Sequence, residues 1–267
     1  MIEHRYLMCE PKFFDIEYSI NKWMDVNNKV DKEKAYKQWN QLVSKLKSLG
    51  CTIETIEPQP NLPDMTFSGD DGLVYGNKVI LSRFRHKERQ GEVEHYKKWF
   101  KEHNYEVIEL PKGVIFEGLG DIIYNDKKII FGYGPRSDPA AINYVKEIMK
   151  DLETVCELEI VDREMFHLAL SLSFIDDDTV MYYPESFSER SRELVESKFK
   201  NVVRVGKDDA LNYFACNNII IGKNVLLWNC SEKLEKELNN VGYNVIKCDM
   251  SEFFKSGGSL RCLVLKL

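Results

Sequence analysis

The segment L-V-Y-G-N-K-V-I-L at residues 73–81 has the pattern of two apolar strands joined by a tight polar turn. The glycine and asparagine of this turn readily adopt the positive φ angles that a two-residue hairpin requires. Three other segments, at residues 122–131, 172–182 and 218–228, repeat the pattern with Gly, Asn or Asp at the turn. The turns lie near residues 76, 126, 177 and 223, about fifty residues apart, and this spacing predicts a repeated structural unit.

A second repeated element lies between the hairpins and consists of an amphipathic helix followed by a short alternating strand. Apolar residues in the helical parts recur at spacings of three and four, which indicates one buried face. Gly50 and Gly242 suit the position just past a helix end. The helix–strand segments lie at residues 39–57, 96–110, 142–161, 192–205 and 234–248. Together with the hairpins, they predict repeated units of the order ββαβ.

The two ends of the chain supply the hairpin that the fifth unit lacks. The segments R-Y-L-M-C at 5–9 and L-R-C-L-V-L at 260–265 are both apolar enough to pair as strands. A ring sealed in this way leaves no exposed sheet edge. The sequence therefore predicts an α/β fold, a five-bladed α/β propeller of ββαβ units closed by the N- and C-terminal strands. An open α/β sheet built from the same units is the alternative.

The composition is typical of a globular protein, and we predict a single domain over residues 1–267 because no Pro/Gly/Ser-rich linker interrupts the chain. Lys plus Arg number 37 and Asp plus Glu 43, so the net charge is −6. Without a basic block, a nucleic-acid partner is not expected, and the acidic balance favours a small cationic ligand.

No apolar run approaches the ~20 residues of a membrane helix, and the N-terminus lacks an apolar signal core. We expect a cytoplasmic protein without a membrane partner, and a homo-oligomer is compatible with the sequence.

Seven cysteines are present, an odd number without a C-x-x-C pair, which indicates free thiols in a reducing compartment. Cys262 differs from the other six because it follows S-G-G-S, which lets the backbone approach a ligand closely. The other six are expected to be small buried side chains. No H-E-x-x-H motif, paired cysteines or phosphate-binding glycine loop is present, so neither a metal nor another cofactor is expected.

Unusual polar segments stand before the hairpins and before the closing strand. They are D-M-T-F-S-G-D-D-G (64–72), F-E-G-L-G-D (116–121), F-H-L-A-L (166–170) and S-G-G-S-L-R-C-L (256–263). Corresponding ends of repeated units in a ring point toward one axis, so we expect Asp70, Glu117, His167 and Cys262 to converge. A thiol, an imidazole and two carboxylates suit covalent catalysis on a cation.

Each of these residues, taken alone, also has a purely structural interpretation. His167 lies beside Phe166 and is compatible with a core histidine bonded to a main-chain carbonyl. Asp70 is compatible with a turn former, and Glu117 with a surface charge. The hypothesis of a catalytic site therefore depends on the combination at equivalent positions of the repeat.

The same segments resemble the guanidino-group-modifying superfamily, whose members include arginine deiminases, dimethylarginine dimethylaminohydrolases, arginine dihydrolases and amidinotransferases. The resemblance runs along the whole chain, and its opening segment and R-Q-G-E run look most like the cyanobacterial arginine dihydrolase branch. The family fold is the five-bladed α/β propeller called a pentein. The matching segments lie at 8–24, 67–72, 84–92, 116–121, 132–138, 166–168 and 257–262.

The resemblance implies a role for each matching residue. Cys262 would attack the guanidinium carbon, and His167 would protonate the departing amine and then activate water. Asp70 and Glu117 would hold the guanidinium nitrogens. The remaining roles concern the rest of the substrate: the carboxylate would be clamped by Arg89 and Arg136, with Arg85 as a second candidate, and the α-amino group would contact Asp64.

Two departures from the family patterns bear on the reaction. Deiminases and amidinotransferases carry an Asp two residues after the His, where this chain has Ala169, and dimethylarginine hydrolases also lack that Asp. The dihydrolase branch is expected to carry Asn where this chain has Asp70. These pocket residues favour a cysteine-dependent hydrolase that converts arginine or an N-methylated arginine to citrulline plus ammonia or methylamine. The alternatives are an arginine dihydrolase that gives ornithine and ammonia, an amidinotransferase, and a non-catalytic binding module of the same fold.

Overall fold

The computed structural model describes residues 4–267 and contains fifteen strands and eight α-helices in that range. The strands are β1 (Arg5–Cys9), β2 (Thr52–Ile56), β3 (Gly72–Tyr75), β4 (Lys78–Leu81), β5 (Glu106–Ile108), β6 (Ile122–Tyr124), β7 (Lys128–Tyr133), β8 (Glu153–Glu159), β9 (Leu172–Phe174), β10 (Thr179–Tyr182), β11 (Asn201–Arg204), β12 (Ile219–Ile221), β13 (Asn224–Leu227), β14 (Asn244–Lys247) and β15 (Leu265–Lys266). The helices are α1 (Lys32–Ser48), α2 (Glu92–Glu102), α3 (Ala141–Ile148), α4 (Leu168–Ser171), α5 (Glu189–Lys198), α6 (Lys207–Tyr213), α7 (Glu232–Asn240) and α8 (Ser251–Phe254).

All of these strands belong to five three-stranded sheets, with the orders β15-β1-β2, β3-β4-β5, β6-β7-β8, β9-β10-β11 and β12-β13-β14. In every sheet the middle strand pairs antiparallel with one neighbour and parallel with the other. The parallel neighbour always follows a helix, because a parallel connection must cross back over the sheet. The predicted α/β class and the five ββαβ units are confirmed. The alternative of one open sheet is wrong, since the sheets remain separate among the described residues.

The chain divides into two compact units. Unit 1 comprises Met1–Leu119 and Cys248–Leu267 and contains the first two of these sheets, whereas unit 2 comprises Gly120–Lys247 and contains the other three. The single domain over residues 1–267 stays a prediction, and residues 1–3 lie outside the described part of the chain. Of the helices described, none has both the length and the apolar character needed to cross a bilayer.

The terminal strands complete the first sheet of unit 1, as the sequence predicts. Strand β1 pairs antiparallel with β15, with Tyr6 opposite Lys266, and parallel with β2. The closing strand is shorter than the segment 260–265 suggests, because Leu260–Leu263 form a 3-10 helix. Cys262 therefore lies on this helical turn just before the strand and outside the sheet ladder.

Helix α1 shows why the predicted helices form. Asp31 accepts a hydrogen bond of 3.0 Å from the main-chain nitrogen of Lys34 and so caps the first turn. The buried side chains of the helix recur at spacings of three and four and form one face that is apolar except for Gln38. Gly50 follows the helix with φ +86°, a conformation that glycine adopts without strain. These buried side chains are Ala35, Gln38, Trp39, Leu42 and Leu46.

Unit 2 has an apolar core formed by its first two sheets. Ile130 and Leu158 from one sheet and Leu172 and Val180 from the other are completely buried in a single cluster. Leu168, at the start of α4, belongs to the same cluster. The packing of Leu168 in this cluster therefore fixes the main chain just before α4.

Two glycines bring three segments of unit 1 into direct main-chain contact. A Cβ atom at Gly69 would lie 2.8 Å from the carbonyl oxygen of Arg261 and 3.2 Å from that of Cys262. Gly118 has φ +51°, and a Cβ atom there would lie 2.8 Å from the carbonyl oxygen of Asp70. The segments that carry Asp70, Glu117 and Cys262 can therefore approach this closely only because no side chain stands between them.

We expect Gly69→Ala to destabilise the protein, because its methyl group would overlap rigid main-chain oxygens. Overpacking of this kind typically costs ~1–3 kcal/mol, which urea denaturation would measure. Gly206→Ala is the matched control, since Gly206 has φ −72° and nothing lies within 4 Å of its Cβ position. An unfolding midpoint of Gly69→Ala equal to that of the control would contradict the close contact.

Candidate active site

In unit 1, Asp70 is held through both its main chain and its side chain. It lies in the 3-10 helix Ser68–Asp71 and is 5% exposed. Ser82 Oγ donates a hydrogen bond to its carbonyl oxygen. Arg89 Nη1 donates a hydrogen bond of 2.7 Å to its Oδ2 atom. The orientation of the Asp70 carboxylate is therefore fixed by a buried guanidinium.

Arg89 is itself surrounded by protein acceptors. Its Nε and Nη2 atoms donate to the two carboxylate oxygens of Glu92 at 3.0 and 2.9 Å, a bidentate arrangement. Nη2 also donates to the carbonyl oxygen of Asp64 at 3.3 Å, and the guanidinium lies 4.3 Å above the ring of Phe84. With the bond to Asp70, these contacts use four of the five N–H groups of the side chain. A two-point clamp on a substrate carboxylate, as the resemblance implies, would require Arg89 to release some of them.

The electrostatics of this cluster follow from burial. Burial alone would lower the pKa of Arg89, but Glu92 and Asp70 outweigh it and hold that pKa well above its usual value. Burial raises the pKa of Glu92 to about 7, even though Arg89 opposes the shift. Burial and then the neighbouring Glu92 raise the pKa of Asp71 well above the usual range. The guanidinium thus stays charged, while the carboxyl groups behind it resist ionisation.

Glu117 is completely buried just before the 3-10 helix Gly118–Gly120. Its Oε1 atom accepts a hydrogen bond of 3.0 Å from the main-chain nitrogen of Arg85. A main-chain bridge between Arg83 and Phe116 holds the two segments together, with hydrogen bonds of 2.7 and 3.2 Å. The structure thus links Arg85 to the site through its main chain, while its side chain is exposed.

Asp64 lies in the 3-10 helix Pro63–Thr66 and is 1% exposed. Its Oδ2 atom accepts a hydrogen bond of 2.8 Å from the hydroxyl of Tyr18. Burial and then the nearby Asp64 raise the pKa of Tyr18 far above its usual value, so the hydroxyl stays protonated and remains a donor. The carbonyl oxygen of Asp64 contacts Arg89, which places Asp64, Asp70 and Arg89 in one cluster.

Cys262 is 5% exposed on the turn Leu260–Leu263. The glycine run before it has no room for side chains, because a Cβ atom at Gly258 would lie 2.3 Å from the ring of Phe67. Burial does not distinguish this thiol, since all seven cysteines are buried. In the other six cysteines, burial raises the pKa of the thiol and so disfavours the reactive thiolate. These are Cys9, Cys51, Cys156, Cys216, Cys230 and Cys248.

In unit 2, His167 is 1% exposed and lies immediately before α4 in an extended conformation. Asp121 Oδ1 accepts a hydrogen bond of 3.1 Å from the main-chain nitrogen of Leu168, which anchors the start of this helix. The other oxygen of Asp121 accepts a hydrogen bond of 2.5 Å from Ser137 Oγ. Asp121 therefore fixes the position of the main chain next to His167.

Arg136 belongs to the same part of unit 2 as His167. Its guanidinium lies 4.5 Å from the centre of the Phe166 ring, and the side chain is 3% exposed. The ring of Phe166 meets that of His167 edge to face at 5.0 Å. Phe166 thus orients both of the predicted site residues in this unit.

Several residues of these clusters were not singled out from the sequence. Glu92 ends the R-Q-G-E run and lies three residues after Arg89, a spacing that suits an ion pair at the start of a helix. Asp121 is the last residue of the segment F-E-G-L-G-D at 116–121. The bond from Tyr18 to Asp64 spans 46 residues, so no local sequence pattern could have predicted it.

Within residues 4–267, no group of three or more His, Cys, Asp or Glu residues is arranged to hold a metal ion.

Comparison with known proteins gives consistent matches along the chain. A sequence family described as N,N dimethylarginine dimethylhydrolase, eukaryotic, matches residues 6–267. The bifunctional arginine dihydrolase/ornithine cyclodeaminase AgrE of Nostoc sp. is 36% identical over 268 residues, which cover 98% of this chain but only 38% of AgrE. The N(G),N(G)-dimethylarginine dimethylaminohydrolase of Mycobacterium tuberculosis is 34% identical over 263 residues, 98% of this chain and 85% of that enzyme.

Solved structures agree with the sequence matches. The N-terminal domain of ArgZ, an arginine dihydrolase from the ornithine–ammonia cycle in cyanobacteria, is known bound to its product and, as a variant, covalently bound to a reaction intermediate. Both structures are 34% identical to this chain, have a TM-score of 0.93 and cover 99% of this chain and 97% of the ArgZ domain. The predicted resemblance to guanidino-modifying proteins and the predicted fold class are thereby confirmed. The match over residues 6–267 shows that the chain belongs to the eukaryotic N,N dimethylarginine dimethylhydrolase family and is an amidine-acting hydrolase.

Proposed function

We propose that this chain hydrolyses the guanidino group of arginine or an N-methylated arginine to citrulline, with release of ammonia or a methylamine. The main support is the contact among the segments of Asp70, Glu117 and Cys262 in unit 1, made through Gly69 and Gly118. It sets a thiol and two carboxyl groups, each at most 5% exposed, on adjoining stretches of main chain. A guanidinium is a cation that needs such carboxylates, and a covalent route needs such a thiol.

Asp70 and Glu117 bind the guanidinium nitrogens through charge-assisted hydrogen bonds, which orient the central carbon. Asp64 accepts a hydrogen bond from the α-amino group of the substrate. The α-carboxylate is bound by arginine side chains. These are Arg136, Arg85 and, through its remaining N–H, Arg89.

The first chemical step forms a bond between the Cys262 sulfur and the guanidinium carbon. A free cysteine has a pKa of about 8.5, and the bound cation together with a protonated His167 favours the thiolate. His167 then gives its proton to the departing nitrogen, the C–N bond breaks, and a covalent thiouronium remains. Holding the thiol against an oriented substrate can supply roughly 7–11 kcal/mol of the barrier.

The second step hydrolyses the thiouronium. His167, now neutral, takes a proton from a water molecule whose oxygen adds to the same carbon. The C–S bond then breaks, the thiolate of Cys262 returns, the proton of the added hydroxyl group passes to solvent, and the urea group of citrulline is formed. Every proton and electron pair is supplied by the substrate, water and these two side chains, so no cofactor is required.

Arginine dihydrolase activity is the second candidate, and the structural similarity to ArgZ over 99% of this chain favours it. A dihydrolase must attack the carbon again after the positive charge of the guanidinium has been lost. The carboxylates of Asp70 and Glu117 bind a cation more strongly than a neutral urea. Release after one hydrolysis, with citrulline as the product, is therefore our proposal.

An acceptor amine in place of water would make the reaction an amidinotransfer.

Product analysis tests the proposed function directly. The purified chain is incubated with arginine, monomethylarginine or asymmetric dimethylarginine, and amino acids and amines are identified by mass spectrometry. We expect citrulline together with ammonia, methylamine or dimethylamine according to the substrate. Ornithine with two equivalents of ammonia would contradict the proposal in favour of a dihydrolase, and transfer to an added amine would indicate an amidinotransferase.

Replacement of Cys262 tests the covalent route. We expect Cys262→Ser to lower kcat by about 10³-fold or more, as losses of nucleophiles in other enzymes do. Cys248→Ser is the control, because Cys248 is another buried cysteine of unit 1 whose thiolate is disfavoured by burial. Wild-type protein should also gain one haloacetamidine label at Cys262 that arginine prevents. Full activity of Cys262→Ser, or equal labelling of several cysteines, would contradict this mechanism.

A further inference from the structure

Behind Asp70 lies a row of buried ionisable groups, of which the proposed reaction uses only Arg89. Asp71 and Glu92 are both 0% exposed, and Arg89 is 3% exposed. Arg89 joins the row to Asp70, since it bonds Glu92 through Nε and Nη2 and Asp70 through Nη1. A shift in the position of the Glu92 or Asp71 carboxyl group therefore moves the Arg89 guanidinium, which is rigid and planar, and with it the Asp70 carboxylate.

The charges in this row do not balance if every carboxyl group is ionised. Arg89 supplies one positive charge, and its hydrogen bonds already go to the carboxylates of Asp70 and Glu92. Asp71 is farther away, with its Oδ2 atom 3.8 Å from Arg89 Nη2, too far for a hydrogen bond. An ionised carboxylate buried without a partner is strongly disfavoured, so one carboxyl group of the row should hold a proton.

The hydrogen bonding identifies where that proton lies. Among residues 4–267, no N–H or O–H group donates to either carboxyl oxygen of Asp71. Asp71 Oδ2 and Glu92 Oε2 lie 3.8 and 2.9 Å from the same nitrogen of Arg89, Nη2, so the two carboxyl groups are neighbours. A hydrogen bond between two carboxyl groups requires that one of them be protonated. Glu92 uses both oxygens to accept from Arg89, as an ionised carboxylate does. Asp71 is therefore the donor.

We propose that Asp71 and Glu92 are positioning residues that share one proton, and that through Arg89 they hold the Asp70 carboxylate in place for a guanidinium. Asp71 donates to Glu92, Glu92 binds one edge of Arg89, and Arg89 presents its other edge to Asp70. The positioning role rests on the proposed function, whereas the shared proton does not. With the proton, the row and Asp70 together carry a net charge of −1, which matches a single cation.

The groups around the pair are compatible with this assignment. Burial raises the pKa of Asp71, and it raises that of Glu92 to about 7, both in the direction that retains a proton. Cys9 and Tyr96 also face the pair, and burial raises both of their pKa values, so neither adds charge near neutral pH. The remaining groups that act on the pair are Asp64, Asp70, Arg89 and Tyr18.

The shared proton predicts a particular dependence of stability on pH. In the unfolded chain an aspartate has a pKa of about 3.9 and has lost its proton above that pH. In the folded chain Asp71 keeps the proton, so folding takes up a proton between that value and the raised folded-state pKa. The folding equilibrium constant should therefore fall as pH rises through this window, by up to tenfold per pH unit.

The test compares urea unfolding of the wild type, Asp71→Asn and Glu92→Gln between pH 5 and 8. Asn keeps the shape and an N–H donor toward Glu92 but cannot titrate, so the fall with pH should be smaller in Asp71→Asn. Glu92→Gln removes the negative charge that favours the proton on Asp71 and should flatten the curve as well, which provides a second variant if the first fails to fold. Asp126→Asn, at an exposed aspartate in the β6–β7 turn, should leave the wild-type dependence unchanged. Curves for both row variants that parallel the wild type would overturn the shared proton.

The positioning role is read from kinetics on the same variants. We expect the wild-type kcat/KM to fall at alkaline pH both as His167 loses its proton and as the shared proton is lost, and Asp71→Asn to keep only the fall caused by His167. Asp71→Ala, which removes the donor, should raise KM about tenfold more than Asp71→Asn does. Identical pH profiles for the wild type and Asp71→Asn would overturn the positioning role. Absence of turnover in the wild type would reject the proposed function and positioning together, while urea unfolding still decides on the proton.

Discussion

Contact between main-chain segments without intervening side chains is the constraint on which unit 1 depends. Gly69 lies against the carbonyl oxygens around Cys262, and Gly118 against that of Asp70. Main-chain atoms cannot change rotamer, so the relative positions of these segments vary less than positions set by long side chains. Covalent chemistry benefits from such rigidity, because small displacements of a nucleophile cost large factors in rate. The same rigidity leaves these positions intolerant of any residue larger than glycine.

Unit 1 also buries several ionisable side chains close to one another. Asp70, Asp71, Glu92 and Arg89 are each at most 5% exposed, although such residues are almost never fully buried unless they are paired. Replacement of a buried ion pair by apolar residues often stabilises a protein, so stability alone is a weak reason to keep one. A binding site for a cation gives a stronger reason. It needs a carboxylate that is fixed in orientation, out of water and not neutralised by a freely moving counter-ion.

The repeated fold could be predicted from sequence because its signals are local. Alternating apolar residues and Gly, Asn or Asp turns specify each hairpin within about ten residues. The hairpin predicted at 73–81 corresponds to the strands Gly72–Tyr75 and Lys78–Leu81. The family motifs identified the candidate catalytic residues. Their partners were not predictable, because Tyr18 and Asp64 are far apart in sequence and the bonds of Arg89 depend on which way its side chain points. The helical turn at Leu260–Leu263 was also missed, since its apolar residues suit a strand equally well.

The pairing of β1 with β15 has a consequence for the order in which the chain folds. Residues 5–9 are synthesised about 260 residues before residues 265–266, so this sheet has a very large sequence separation between its partners. Unit 2 is one continuous stretch, Gly120–Lys247, and all of its strands are available before the last strand of unit 1 is synthesised. During translation the later-encoded unit can therefore fold first, while the N-terminal strand waits for its partner. Cys262, three residues before β15, is likewise synthesised after the whole of unit 2.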